Sequence, residues 1–255
     1  MFRFPSKQIA VTGEAIEYVC AGRGPAVVVL VNGSGGPIEG WHKVFGPLAT
    51  FARVFAYNRP GIGNSSKPSA PQLGSHMVAS LRATLLAAGL PPPYILVGHS
   101  LGGLIVNLFA RLHPAEVEAV VMLEATAPDD VAVLATHESA LQTLLKKGLE
   151  WLVPANPNAE SQHMAATVSQ VQAAPSFPAI PLSIVTGGKP AMQWATAAPA
   201  LAARSAHQRA LLDLSPMAKQ IMATRSGHFP QFSEPELVVA AIKEAATESA
   251  RMMDT

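Results

Sequence analysis

Tyr94-Ile95-Leu96-Val97-Gly98-His99-Ser100-Leu101-Gly102-Gly103 is the stretch around which the chain is organised. Its first four residues are apolar and read as a buried strand, and Leu104 to Leu112 reads as a helix. Between them stands G-x-S-x-G, the spacing that presents a serine as a nucleophile when it falls on a strand-to-helix turn. Gly98 and Gly102 flank Ser100 because so tight a turn leaves no room for β-carbons. The serine itself is expected to hold strained backbone angles. The helix that follows aims its free N–H groups at the same spot.

Working outward, Ile9 to Thr12 and Ala15 to Cys20 read as a hairpin turned at Gly13-Glu14. Ala26 to Val31 is a continuous apolar run, as expected of a strand covered on both faces. Val54 to Tyr57, Val117 to Leu123, Leu182 to Val185 and Gln220 to Ala223 are further strand candidates. Leu73, Met77, Leu81 and Leu85 recur every four residues, a helix stripe that packs on a core. The alanine-rich stretch 195–206 reads as helix, and Pro235 to Met252 as a closing amphipathic helix. Strands alternating with helices predict an α/β fold, a doubly wound and mostly parallel eight-stranded sheet. From Ala127 to Pro181 no strand is found, and a structureless loop of that length is improbable. We expect one domain over residues 1–255, with a small helical cap inserted after strand six over residues 127–181.

Composition narrows the function. Of 255 residues, 49% are hydrophobic and 14% charged, which argues for a large core and little disorder. Net charge is +1 with no basic run, so nucleic acid is not the expected partner. Cys20 is the only cysteine, so no internal disulfide forms. No stretch has the length of a membrane span and the first residues lack a signal-peptide core, so the expected location is the cytoplasm. No spacing suggests a metal or organic cofactor, and the oligomeric state is open.

Four motifs in order carry a resemblance. The serine turn is one. The others are Leu30-Val31-Asn32-Gly33-Ser34-Gly35-Gly36-Pro37, then Tyr57-Asn58-Arg59-Pro60-Gly61-Ile62-Gly63-Asn64-Ser65, and Ser226-Gly227-His228-Phe229-Pro230-Gln231-Phe232. Together they resemble the α/β-hydrolase superfamily over nearly the whole chain. The resemblance implies that the loop after strand three, with the N–H of Ser34 or alternatively Gly33, joins the N–H of Leu101 in an oxyanion hole. Asn32 stands where the family usually has histidine, and is expected to brace that loop at the edge of the substrate pocket.

His228 is the candidate base, because it lies on a glycine-flanked loop after the last strand. His99, beside the serine, is expected to point away from it into packing. The orienting acid departs from the commonest family pattern. After strand seven the chain has Thr186-Gly187-Gly188-Lys189, with no carboxylate. Glu124 closes the sixth apolar run, where an unpaired charge is costly, and a subset of the family carries its acid there. Asp129 and Asp130 are the alternatives.

A serine rather than an aspartate at the turn implies acyl transfer. The expected reaction is hydrolysis of a carboxylic ester or lactone by Ser100, His228 and Glu124. Leu145 and Trp151 of the cap are expected to line a partly apolar pocket. An acyltransferase or perhydrolase using the same residues, and a slow-turnover ligand receptor on the same fold, are the competing readings.

Overall fold

The apolar runs become strands of a single sheet. The computed structural model describes residues 4–130, 156–189 and 198–253. Eight strands are found there: β1 (Lys7–Val11), β2 (Glu14–Ala21), β3 (Val27–Val31), β4 (Arg53–Tyr57), β5 (Tyr94–His99), β6 (Val117–Leu123), β7 (Leu182–Gly187) and β8 (Ala218–Ala223). They lie in the order β1-β2-β4-β3-β5-β6-β7-β8. β2 pairs antiparallel with both β1 and β4, and every later pair is parallel. The hairpin turns at Thr12-Gly13, one residue before the expected place. Both residues hold positive φ, as a two-residue hairpin turn with right-handed strand twist requires.

Among the described residues the α-helices are α1 (Phe45–Leu48), α2 (Gly74–Ala87), α3 (Leu101–Leu112), α4 (Met164–Ala173), α5 (Ala198–Ala210), α6 (Pro230–Ser233) and α7 (Pro235–Met253). Alternate residues of the central strands face opposite layers. Val27, Val29 and Val31 pack with Leu81 of α2, Leu104 of α3 and Val168 of α4. Val28 and Leu30 pack with Phe45 and Leu48 of α1 and with Val238 and Ile242 of α7. Strands wholly covered on both faces explain why β3 reads as an unbroken apolar run.

The segment after β6 differs from the expected cap at its C-terminal end. Val168 and Val171 of α4 join the core cluster, and the helix packs on α2 and α3. Residues 131–155, with the expected pocket residues Leu145 and Trp151, lie outside the described residues. Among the described residues no helix is long and apolar enough to cross a membrane.

Candidate active site

The register of the sheet assembles the site. His99 of β5 pairs with Leu123 of β6, and Leu123 with Val185 of β7. The residues that follow are therefore level. The N–H of Ser100 donates to the Leu123 carbonyl at 3.2 Å, and that of Glu124 to the Val185 carbonyl at 2.8 Å. Ser100 holds φ 51° and ψ −120° and begins α3 without using its side chain as a cap. Its carbonyl accepts from Gly103 and Thr126, which ties the turn to the segment beyond β6. A β-carbon at Gly102 would lie 2.1 Å from the Val31 carbonyl oxygen, and one at Gly103 would lie 2.3 Å from the Ala125 side chain. Close approach, more than backbone angle, demands glycine at these two positions.

Glu124 is 5% exposed and, like Ser100, has positive φ, here 43°. Its Oε2 lies 3.5 Å from His228 Nδ1 and accepts from Arg204 Nη2 at 2.7 Å. Its Oε1 accepts from the Gly187 N–H at 2.7 Å. Burial alone would raise the pKa of this carboxyl, but His228, Arg204 and the Gly187 amide together hold it below the ordinary carboxylate value. The His228 loop is fixed from below. Ser226 Oγ and the Arg225 N–H donate to Glu234, and the Lys189 N–H donates to the Ser226 carbonyl.

His99 is buried in packing, as expected of a structural residue, and what it packs against is the histidine loop. One ring nitrogen, Nε2, is 2.8 Å from the His228 carbonyl, which fixes Nε2 as the protonated donor. Its ring packs on those of His228 and Phe229. Burial, reinforced by His228, lowers its pKa to about 4, so His99 is a neutral brace of the histidine loop. Of the alternatives to Glu124, one is engaged elsewhere and the other faces solvent. Asp130 is buried and bonded to the Ala127 N–H and to His207 Nδ1, both at 2.8 Å, while Asp129 is exposed.

The loop after β3 passes directly over the serine turn. A β-carbon at Gly33 would meet both His99 Nδ1 and Ser100 Cβ at 3.1 Å. Asn32 is only 4% exposed. Its Nδ2 donates to the Pro37 carbonyl at 2.6 Å and its Oδ1 accepts from the Gly33 N–H, so both polar ends are spent bracing the loop. That bond occupies the Gly33 amide, whereas the Ser34 amide is bonded to no described residue.

Two residues that were not site candidates complete this clamp. Arg59 donates to the Asn32 carbonyl at 2.9 Å, to the Gly33 carbonyl at 2.6 Å and through Nε to Glu160 Oε2 at 2.5 Å. Glu160 Oε1 accepts from the Gly35 N–H at 2.6 Å. Burial would raise the Glu160 pKa, yet Arg59, the Gly35 amide and the Ser34 hydroxyl lower it. Arg59 was visible only as part of a loop motif. Glu160 lies 125 residues from Gly35 and carries no local sequence signal.

A family model described as the alpha/beta hydrolase fold matches residues 26–179, more than half of the chain. The chain belongs to the α/β-hydrolase fold family. A 1-acylglycerol-3-phosphate O-acyltransferase, ABHD5 of Sus scrofa, is 30% identical over 51% of this chain and 38% of its own length. A putative carbamate hydrolase, RutD of Escherichia coli O157:H7, is 36% identical over 37% of this chain and 36% of its own. The chain thus spans well under half the length of these curated relatives. Among solved structures, an enol-lactonase from Burkholderia xenovorans LB400 superposes with a TM-score of 0.67 at 18% identity, covering 95% of this chain and 100% of that one. Cfl2 from Burkholderia cenocepacia gives a TM-score of 0.70 at 18% identity over 94% of each chain.

Within this α/β-hydrolase fold, the end of β7 has a physical reason to lack an acid. A β-carbon at Gly187 would lie 2.4 Å from the Gly227 carbonyl oxygen, so the histidine loop fills the space a side chain needs there. Strand seven contributes the Gly187 amide, which donates to Oε1 of Glu124, the residue after β6.

Proposed function

We propose that the chain is a serine hydrolase that cleaves a carboxylic ester or lactone through an acyl-enzyme. The observation that carries this reading is the level placement of Ser100 and Glu124 at adjoining strand ends, both at positive φ, with the Glu124 carboxylate 3.5 Å from His228 Nδ1. Strained backbone at two neighbouring positions is the pattern expected of a functional site. His228 takes the proton of Ser100 as the serine oxygen attacks the carbonyl carbon, and Glu124 stabilises the imidazolium that forms. The proton then passes to the departing alcohol, and water repeats the sequence to release the acid.

The tetrahedral oxyanion needs two preorganised donors. Leu101 begins α3, where an N–H has no partner within the helix. The Ser34 N–H is favoured over that of Gly33 because the Gly33 amide already donates to Asn32 Oδ1. In a trans peptide the C=O and N–H point in opposite directions. Arg59 holds the Gly33 carbonyl, which aims the Ser34 N–H the other way. The chemistries named by the curated relatives, acyl transfer and carbamate hydrolysis, fit a serine that handles acyl groups. The acyltransferase name supports a second reading, in which an alcohol replaces water as acceptor. Added alcohol would then divert the acyl group into a new ester.

The test is labelling with a fluorophosphonate and turnover of a panel of p-nitrophenyl esters and lactones. Label on Ser100, with loss of turnover of about 10⁴-fold or more in Ser100→Ala, is the expected result. Unchanged turnover in Ser100→Ala overturns the proposal.

A further inference from the structure

Arg204 is 80 residues from Glu124 in sequence, yet its Nη2 donates to Glu124 Oε2 at 2.7 Å and to the Glu124 backbone carbonyl at 3.2 Å. Oε2 is the same oxygen that faces His228 Nδ1 at 3.5 Å. The other guanidinium nitrogen, Nη1, stands 3.6 Å from Asp130 Oδ2. Asp130 is in turn held by the Ala127 N–H and His207 Nδ1. The Gly187 amide takes Oε1, so both carboxylate oxygens have a close donor before His228 is counted. We propose that Arg204 is a positioning residue that holds the Glu124 carboxylate by the oxygen it shares with His228 and offsets part of that carboxylate's field at the imidazole. This rests on the reading of Ser100, His228 and Glu124 as a catalytic triad.

Two consequences follow from geometry and sign. The shorter contact belongs to Arg204, and 3.5 Å is beyond the ordinary range of an N–H···O bond. The carboxylate is thus held for His228 without being fully spent on it. A cation on the shared oxygen also offsets part of the field that stabilises the imidazolium. Among the described residues, the charged and titratable groups around Glu124 come from four elements. They are Arg204 and, behind Asp130, His207 on α5, with Asp130 itself after β6, His228 after β8, and His99 at the end of β5. Arg204 is the permanent cation of this set and touches Glu124 directly. Its bond to the backbone carbonyl also secures the residue at φ 43°. The lowered pKa of Glu124, to which Arg204 contributes, agrees with this arrangement.

The experiment compares Arg204→Met, Arg204→Lys and the unsubstituted chain, each checked for folding by thermal melting. Two quantities are read. One is the pH profile of kcat/KM on p-nitrophenyl acetate across about pH 5–9. The other is the titration midpoint of the His228 ring by NMR in a Ser100→Ala background, which needs no turnover. Arg204→Met is expected to move the acid limb and the ring midpoint upward by about 0.5–1 pH unit, because the imidazolium regains the whole carboxylate. It should also lower kcat about tenfold through a less fixed carboxylate. Arg204→Lys keeps the charge and should return both midpoints toward the original. An unmoved or lowered midpoint in Arg204→Met, or a loss of activity that only tracks loss of folded protein, overturns the inference. The two readings fail separately. If Ser100 is not acylated but the His228 midpoint still rises, the hydrolase reading falls and the coupling stands. If Ser100 is acylated and the midpoint stays, only the coupling falls.

Discussion

Ser100 carries a conformational cost for its exposure. Angles of φ 51° and ψ −120° match the first central position of a type II′ turn, where glycine dominates. Holding a serine there costs on the order of 1–3 kcal/mol. Ser100→Gly is therefore expected to abolish turnover and to stabilise the fold by about 1 kcal/mol, read as a raised midpoint in urea unfolding. An unchanged or lowered midpoint would show that the turn is unstrained. Glu124 occupies the matching position just after β6. Glu124→Gln keeps the size but can present a donor to His228, and it should lower kcat/KM by at least about 10²-fold. Asp129→Asn, on an exposed side chain, should stay within about tenfold, and the reverse ranking would relocate the acid.

At the scale of elements, the loop after β3 is held from two directions by one buried ion pair. Arg59 follows β4 and Glu160 precedes α4, and between them they take the carbonyls of Asn32 and Gly33 and the amide of Gly35. Arg59 is 2% exposed and Glu160 8%. Removing one partner leaves the other charged and buried, so Arg59→Met alone should destabilise by about 3–5 kcal/mol. The double variant Arg59→Met, Glu160→Leu should recover most of that stability. It should not recover activity, since the loop loses its anchors, and kcat should stay lowered by about tenfold or more. Urea unfolding with kinetics on an activated ester separates the two effects. Full activity in the double variant would mean that the loop holds its shape unaided.

Across the molecule, acid should weaken the fold in two stages. His99 has its pKa depressed to about 4 from 6.5, so the unfolded chain binds its proton first as pH falls. Stability should then drop between about pH 6.5 and 4, by about 3 kcal/mol from this group. Glu124 and Glu160 are lowered from 4.5, so their contribution is complete above that value and is lost as pH falls through their lower folded values. His99→Gln should flatten the first stage and leave the second, as measured by unfolding free energy against pH. A first stage that survives the substitution would assign it to another histidine.

The strands, their parallel order and the serine turn were legible in the sequence because each rests on local chemistry. Unbroken apolar runs mark strands buried on two faces, and glycines mark backbones that approach closely. Glu124 was legible for a related reason: a charge that ends an apolar run must have a partner. The partner's identity was not. Arg204 and Glu160 sit in stretches whose local pattern is ordinary, and their partners are 80 and 125 residues away. The parallel register, which sets Leu123 level with His99 and Val185, brings Ser100 and Glu124 to one edge of the sheet, and the packing of the helical segments brings Arg204 and Glu160 to their partners. The direction of His99 and the inward turn of Asn32 were likewise decided by packing, since a side chain's facing in a loop or at a strand end depends on which backbone passes over it. Local sequence sets which elements form. The pairing of distant buried charges depends on how those elements close on one another, because burial makes an unpaired charge costly only once the fold exists.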